Sequence, residues 1–305
     1  MTARPPQDAG AANTDDDGRA AAAAARAFEA RHETLDDFRY PDGIRIAVNF
    51  TADFDAMLFR RALNEPPMQK AKGEFGGRVG IWRLIELFDA HGVKATFFTP
   101  GRICELYPHS LRAAAASGHE LADHMWEHLT PESDELQRDH IERTAAALAG
   151  ICGQRPVGTR SYYRQAHLKE AGHLYNSEGT SSRLPYYAAD EKRENCLLIL
   201  PFHYAIDDAQ FYNFGWLKSE PQAQRLTDPE RIMDMWWSAF EQQYALGNGY
   251  LNICLHPFVS GRALRTRLLG QLIERMKEKP GVWFPTCAQL ARYVLAEFPP
   301  KSLKF

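Results

Sequence analysis

The chain has no CxxC pair, no long apolar run, no internal repeat and no Gly-rich phosphate loop, and each absence removes a class of protein. Its five cysteines stand alone at 104, 152, 196, 254 and 287. That odd count without metal-type spacing excludes a disulfide framework and a thiolate zinc site. Cys254 and Cys287 lie in apolar runs and read as small packing hydrophobes. No run reaches the ~18 apolar residues of a membrane span. Acids and bases are interspersed at a formal net charge of -3. The basic clusters that nucleic acid or an anionic membrane would need are missing. GEFGG at 73–77 precedes a helical pattern, but no strand runs into it, so the context of a nucleotide loop is lacking. The N-terminal stretch is polar with Pro and Gly, and its Ala run at 20–25 has no Leu-rich core, so no secretion signal is expected. These features favour a reducing, cytoplasmic setting.

What the chain does have is length and apolar content, with 305 residues of which 45% are hydrophobic. Residues 1–36 read as a flexible N-terminal arm with a short Ala-rich helix, and 37–305 as one catalytic domain. Within that domain apolar strand-like runs occur at 44–50, 94–99, 119–126, 197–206, 250–256 and 282–286. Shorter extended pieces are expected at 159–163 and 180–184. Amphipathic helical patterns lie between them, at 79–92, 111–118, 130–153 with Thr130 as N-cap, and 227–249 after Asp228-Pro229. Alternation of this kind predicts a parallel sheet covered by helices, an α/β fold in the form of a distorted (β/α) barrel of about seven strands with outer helices. An open doubly wound sheet is the alternative. The stretch at 57–78, with Pro66-Pro67 and three glycines, reads as a long loop that could act as a lid or an oligomer contact.

Chemistry in such barrels gathers at the C-terminal ends of strands. Asp53 and Asp55 follow the first apolar run, and in extended geometry they face the same side. His124 and His128 in GHELADHMWEH have three residues between them, a spacing at which two imidazoles can reach one ion. Asp123 should point away from His124 on a strand. Arg160, Asp207, Asp208 and His256 occupy the remaining strand ends. Taken singly, each is an ordinary strand-end polar residue. HxxxH alone arises readily by chance in a chain with 11 His.

Their order along the chain resembles the five motifs of the polysaccharide deacetylases (carbohydrate esterase family 4, the nodulation-type deacetylase domain). FTADFD resembles the first motif, GHELADHMWEH the second, TRSYY the Arg-containing third, IDDAQFYN the fourth and LHPFVSGR the fifth. The resemblance runs from about Ile44 to about Val294. The spaced Asp-Phe-Asp and the HPxxSGR ending are most similar to the allantoinase-like, cyclic-imidase-like and cytoplasmic peptidoglycan-deacetylase-like subgroup. Two departures stand out: the family's adjacent Asp pair is spaced here, and TRSYY lacks the Pro common in the third motif.

The resemblance implies a divalent ion, zinc by default, held by Asp55, His124 and His128. It implies Asp53 as general base with Arg160 orienting it, and His256 as general acid with Asp207 or Asp208 holding its ring, Asp208 fitting the pattern better. Trp126, Tyr162 and Tyr163 beside the second and third motifs are the candidate substrate-binding residues. The reaction implied is hydrolysis of a non-peptide carbon–nitrogen bond in a small amide, ureide, cyclic imide or N-acetyl sugar. Homo-oligomers are common among such relatives, and no nucleic-acid or membrane partner is expected. The rivals are a metal-free allantoinase-like hydrolase, a catalytically silent carbohydrate-binding protein, and a non-haem iron oxygenase, whose ligand order differs.

Overall fold

The structure, a computed structural model, describes residues 32–35, 37–179, 182–189, 196–212 and 228–300. Most of the expected arm, with its Ala-rich helix, therefore falls outside the described residues. Its last part, His32–Thr34 (β1), is a strand paired antiparallel with Tyr186–Ala189 (β7), so the sheet begins before residue 37.

The remaining strands are Ile46–Asp53 (β2), Thr96–Thr99 (β3), Glu120–Asp123 (β4), Gly158–Thr159 (β5), Tyr175–Asn176 (β6), Cys196–Ile199 (β8), Gly249–Leu255 (β9) and Val282–Trp283 (β10). Eight of them run parallel, seven in the order β9-β2-β3-β4-β5-β6-β8. Beyond β8 the chain returns to the far side of β9 through a single parallel bridge, Asp207 to Cys254. The sheet thus curls into a nearly closed (β/α) barrel, as the alternating pattern predicts. β10 adds to the start of β2, while β7 and β1 extend the β8 edge antiparallel.

Alternation along β2 and β9 separates the outside of the barrel from its interior. Val48, Phe50 and Ala52, with Leu251, Ile253 and Leu255, join the core beneath the helices. Asn49, Thr51 and Asp53 face inward, in register with Asn252, Cys254 and the residue after Leu255 on the neighbouring strand. The interior is polar and bonded: Tyr250 donates to Asn49 Oδ1 at 2.9 Å, and Asn252 Nδ2 donates to Ser177 Oγ at 3.0 Å. A polar interior cannot be left unpaired, and here it forms the floor beneath the site.

The segment expected to be a loop at 57–78 is helical. It forms Leu58–Ala62 and Pro67–Phe75, and the second helix passes through a π turn, Gly76–Gly80, into Ile81–Ala90. Its glycines serve close approach. A Cβ on Gly80 would lie 1.9 Å from the Pro257 carbonyl oxygen, and one on Gly76 would lie 2.8 Å from the Phe258 nitrogen. The helix therefore packs directly on the turn that follows β9. Three further boundaries differ. The N-cap of the Asp134–Cys152 helix is Ser133, whose hydroxyl accepts from the Leu136 N–H, and not Thr130. The extended piece expected at 180–184 is not a strand where it is described, since Ser182–Leu184 precede β7. The run at 197–206 leaves the strand after Ile199 and ends in a 3-10 turn, Tyr204–Ile206.

Candidate metal centre and proton-transfer residues

Asp53 ends β2 and Asp55 lies two residues beyond it, so both carboxylates reach the same mouth of the barrel. His124 follows β4, and the chain then turns sharply to bring His128 back. Met125 and His128 both take left-handed backbone, with φ of 67° and 59°. Such conformations cost of order 1–3 kcal/mol each and persist only where the surroundings over-determine them. Here they do: Asp123 Oδ1 accepts the Met125 N–H at 2.6 Å, Gly101 and Arg102 donate to the carbonyls of Met125 and Trp126, and the Tyr163 hydroxyl accepts from the Trp126 N–H. Asp123 points away from His124, and its second oxygen faces His173 Nε2 at 3.5 Å. It holds the turn and stands apart from the ligand cluster.

The turn brings His124 Nε2 to 3.4 Å from Asp55 Oδ1, and His128 Nε2 to 3.8 Å from Asp55 Oδ2. His124 Nδ1 lies 2.6 Å from the Arg160 carbonyl oxygen. A carbonyl can only accept, so Nδ1 carries the proton and Nε2 presents a lone pair. Burial holds this imidazole below its usual pKa against the pull of Asp53 and Asp55, which keeps it neutral. Asp55 Oδ1 and His124 Nε2 are buried and lack any hydrogen-bond partner. Ligand atoms of Asp55, His124 and His128 all fall within 4.8 Å of one another. Orphaned, convergent N and O donors of this kind suit a divalent cation.

Arg160 follows β5 and reaches across the barrel interior. Its guanidinium donates to Asp53 Oδ1 at 2.5 Å, Thr51 Oγ1 at 3.0 Å, Ser177 Oγ at 3.0 Å, the Ser177 carbonyl at 3.1 Å and Cys254 Sγ at 3.1 Å. Phe98 and Phe202 each pack against the guanidinium, 4.3 and 4.4 Å from its carbon to the ring centres. Burial alone would raise the Asp53 carboxyl. Arg160, followed by His124, outweighs it and holds the group below its ordinary value. Cys254 is thus not simply a packing hydrophobe. It faces inward on β9, and its sulfur lies beside both Arg160 and Asp53.

His256 closes β9. Its Nδ1 lies 2.7 Å from Asp208 Oδ1, and its backbone N–H donates to Asp208 Oδ2 at 2.9 Å. The Ser260 hydroxyl also donates to Asp208 Oδ2, at 2.5 Å. Asp207 is farther, 3.7 Å from His256 Nδ1, and its Oδ1 caps the short Asp208–Tyr212 helix through the Ala209 N–H. Between the two aspartates, then, Asp208 holds the ring. Burial opposes the charged imidazole, but Asp208, with Asp207 and Asp53 behind it, raises His256 to about 10.

The three aromatic candidates separate. Tyr162 is 60% exposed at the mouth, with Glu178 and Tyr204 as charge neighbours. Tyr163 and Trp126 are 3% and 8% exposed, so they are not surface platforms. The Trp126 ring fills the space over Gly101, with the Arg143 guanidinium 4.1 Å from its centre. One residue was not anticipated. Glu178, just beyond β6, is half-buried. Burial raises its carboxyl to about 7 against the pull of Arg160, with Asp53 and His128 also acting on it.

Comparison with known proteins bears on the fold and the family of the chain. Residues 76–174 match the polysaccharide deacetylase family. The chain is 24% identical over 291 residues to a peptidoglycan deacetylase of Helicobacter pylori, covering 84% of this chain and 99% of that protein. A crystal structure of a putative polysaccharide deacetylase from Mycobacterium smegmatis superposes with a TM-score of 0.77 at 29% identity, covering 85% of this chain and 93% of the other. An allantoinase crystal structure shares the fold, with a TM-score of 0.75 at 24% identity, covering 86% and 94%.

Proposed function

For a chain that carries a polysaccharide deacetylase domain, we propose a metal-dependent hydrolase of a non-peptide carbon–nitrogen bond, acting on the N-acetyl amide of a small amino-sugar substrate. The observation that carries this reading is the convergence of Asp55, His124 and His128, with buried unpartnered donor atoms turned toward one point. The kinship to a peptidoglycan deacetylase supports the amide and the sugar. Asp55, His124 and His128 would hold one divalent ion, zinc by donor type, which when bound would polarise the amide carbonyl and lower the pKa of a water.

The chain's own groups divide the proton work. Asp53, kept ionised by Arg160, takes the proton of the attacking water. His256, kept charged by Asp208, gives its proton to the leaving nitrogen, since an amine leaves poorly unless protonated. The two groups occupy neighbouring strand ends, on β2 and β9. Tyr162 and Glu178 would meet the sugar.

The test compares Asp55→Asn with Asp53→Asn, reading zinc content and deacetylation of N-acetylglucosamine oligomers side by side. Asp55→Asn should bind zinc weakly. Asp53→Asn should keep its zinc and lose ~10²–10⁴-fold in rate, the usual cost of losing a general base. Zinc lost from Asp53→Asn but retained by Asp55→Asn would reverse the two roles. A wild-type protein that takes up no divalent ion would sink the reading.

A further inference from the structure

Behind the candidate metal centre lies a buried acid–base pair that the proposed reaction does not use. Asp123 ends β4 and is 0% exposed, and the His173 side chain is 1% exposed. His173 stands just past the short Gln165–Glu170 helix, where Gly172 takes left-handed backbone at φ 87° and the chain turns toward β6. This turn fixes the ring. The His173 N–H donates to the Leu168 carbonyl at 3.0 Å, and Nδ1 lies 3.2 Å from the same oxygen. A carbonyl only accepts, so Nδ1 carries a proton and Nε2 is the atom left for Asp123. Nε2 meets Asp123 Oδ2 at 3.5 Å, and neither atom has a hydrogen-bond partner among the described residues.

The other Asp123 oxygen leads to the candidate ligands. Oδ1 accepts the N–H of Met125, the left-handed residue between His124 and His128, at 2.6 Å. The turn's other holds are the Gly101 and Arg102 N–H groups on the carbonyls of Met125 and Trp126, and the Tyr163 hydroxyl on the Trp126 N–H. Those contacts measure 2.9, 3.0 and 3.3 Å, so the Asp123 contact is the shortest of the four and the one made by a carboxyl. A carboxyl shut off from water persists only where it is paired. A bare lone pair on Nε2 would repel a bare carboxylate oxygen, so the pair is attractive with one proton between the two atoms. Without the imidazole, Oδ2 would be stranded. The side chain would then rotate toward another donor and release the Met125 N–H.

We propose that His173 is a positioning residue for the metal ligands: through Asp123 it clamps the turn that presents His124 and His128, and so raises the affinity of the site for its ion. The clamp stands on the contacts above. The effect on the ion rests on the reading of Asp55, His124 and His128 as ligands. Partners that orient ligands from outside are commonly worth ~10–100-fold in metal affinity.

His173→Asn and His173→Gln separate the contact from mere packing. The Asn amide nitrogen falls near the place of Nδ1, so it keeps the Leu168 contact and stops short of Asp123. The Gln amide nitrogen falls near the place of Nε2 and can donate to Asp123 Oδ2. Both are polar and smaller than or similar to the ring, and a thermal melt of each checks that it folds. In metal-free protein, amide hydrogen exchange across the 124–128 turn should run about tenfold or more faster in His173→Asn than in wild type, and near the wild-type rate in His173→Gln. Cobalt(II) is the probe for the second half, since its visible spectrum reports coordination geometry. His173→Asn should bind it ~10–100-fold more weakly and with an altered spectrum, and His173→Gln should restore both. Equal exchange in the two variants overturns the clamp. Equal cobalt affinity and spectra in the two overturn the effect on the ion while leaving the metal reading intact. A wild-type protein that binds no cobalt overturns that effect together with the metal reading, and the exchange rates, which need no metal, still decide the clamp.

Discussion

Replacing Asp208 by Asn should move the alkaline limb of the rate profile by more than any other single change. In the folded protein His256 titrates at about 10, against 6.5 for an ordinary imidazole, and burial alone would push it the other way. The elevation therefore rests on Asp208, which accepts both the ring N–H and the backbone N–H of His256, with Asp207 and Asp53 behind it. Asn keeps the shape but removes the charge, so burial then draws His256 down toward 6.5. A group with the ordinary value carries its proton in only ~3% of molecules at pH 8, a loss of about 30-fold in competent acid. The same shift appears in stability. Because the folded value is raised, this ion pair stabilises fully below pH 6.5, and its contribution is lost as pH rises through about 10. Between those limits wild-type stability should fall by ~1.4 kcal/mol per pH unit from this group, and Asp208→Asn should lack that slope. Rate–pH profiles and urea titrations from pH 6.5 to 10 (~1-unit steps) read both effects. Alkaline limbs that coincide in the two proteins, or parallel stability slopes, would refute the reasoning.

Arg160→Met should cost ~3–5 kcal/mol in urea unfolding, because it strands the Asp53 carboxylate in a buried site. It should also move the acid limb of the rate upward, since burial is then opposed only by the weaker pull of His124, His256 and His128; an acid limb that stays put would detach Asp53 from the rate. In the wild type the depressed Asp53 contributes stability at neutral pH that is lost as pH falls through its folded value, below 3.8. Gly80→Ala should destabilise by about 1–3 kcal/mol, since its Cβ would meet the Pro257 carbonyl oxygen at 1.9 Å. Gly150→Ala, with open space around a helical glycine, should stabilise by ~0.4–1 kcal/mol. Equal thermal shifts in the two variants would show that the close approach at Gly80 can relax freely.

The barrel was legible because β2 and β9 are long enough to show their character, and because helices ending at Gly92 and Gly118 stop where left-handed glycines allow, with φ of 64° and 79°. The sequence order of Asp53, Asp55, His124, His128, Arg160, Asp208 and His256 was readable as well, since most lie at a strand end or just beyond one. What escaped lies where local pattern is shortest. β6 has two residues, too few to show any period, so nothing marked Glu178 as a strand-end residue. The helices at Leu58–Ala62 and Pro67–Phe75 are separated by Pro66 and thinned by glycines, which read locally as loop. Only tertiary contact explains those glycines: a Cβ on Gly73 would meet the Ala56 carbonyl, one on Gly76 Phe258, one on Gly77 the Tyr107 ring and one on Gly80 Pro257. Tyr163 and Trp126 sit beside candidate site residues in the chain yet are buried, and for Trp126 the left-handed residue at Met125 turns the backbone after His124. Cys254 gave no signal either, since an inward-facing cysteine on an apolar strand resembles any other buried one.

Charge pairing explains why the proposed ion belongs at Asp55 and not elsewhere in the mouth. Asp53 is matched by Arg160, which approaches to 2.5 Å and is itself enclosed by Phe98 and Phe202. Asp208 is matched by the charged His256 at 2.7 Å. Asp207 and Glu178 are raised by burial to about 6 and about 7, so each can shed its charge near neutral pH at little cost. Among the described residues, Asp55 has only His124 and His128 as ion-pair neighbours, and the first of these is held neutral by burial with its lone pair turned inward. A buried carboxylate next to two imidazoles, at least one of them neutral, lacks the cation that each matched aspartate has. Protonating the imidazoles would supply that charge, but the Nδ1 contact to the Arg160 carbonyl and the burial of His124 work against it. A divalent cation at the convergence of the three side chains would balance Asp55 and satisfy the orphaned Oδ1 and Nε2 together.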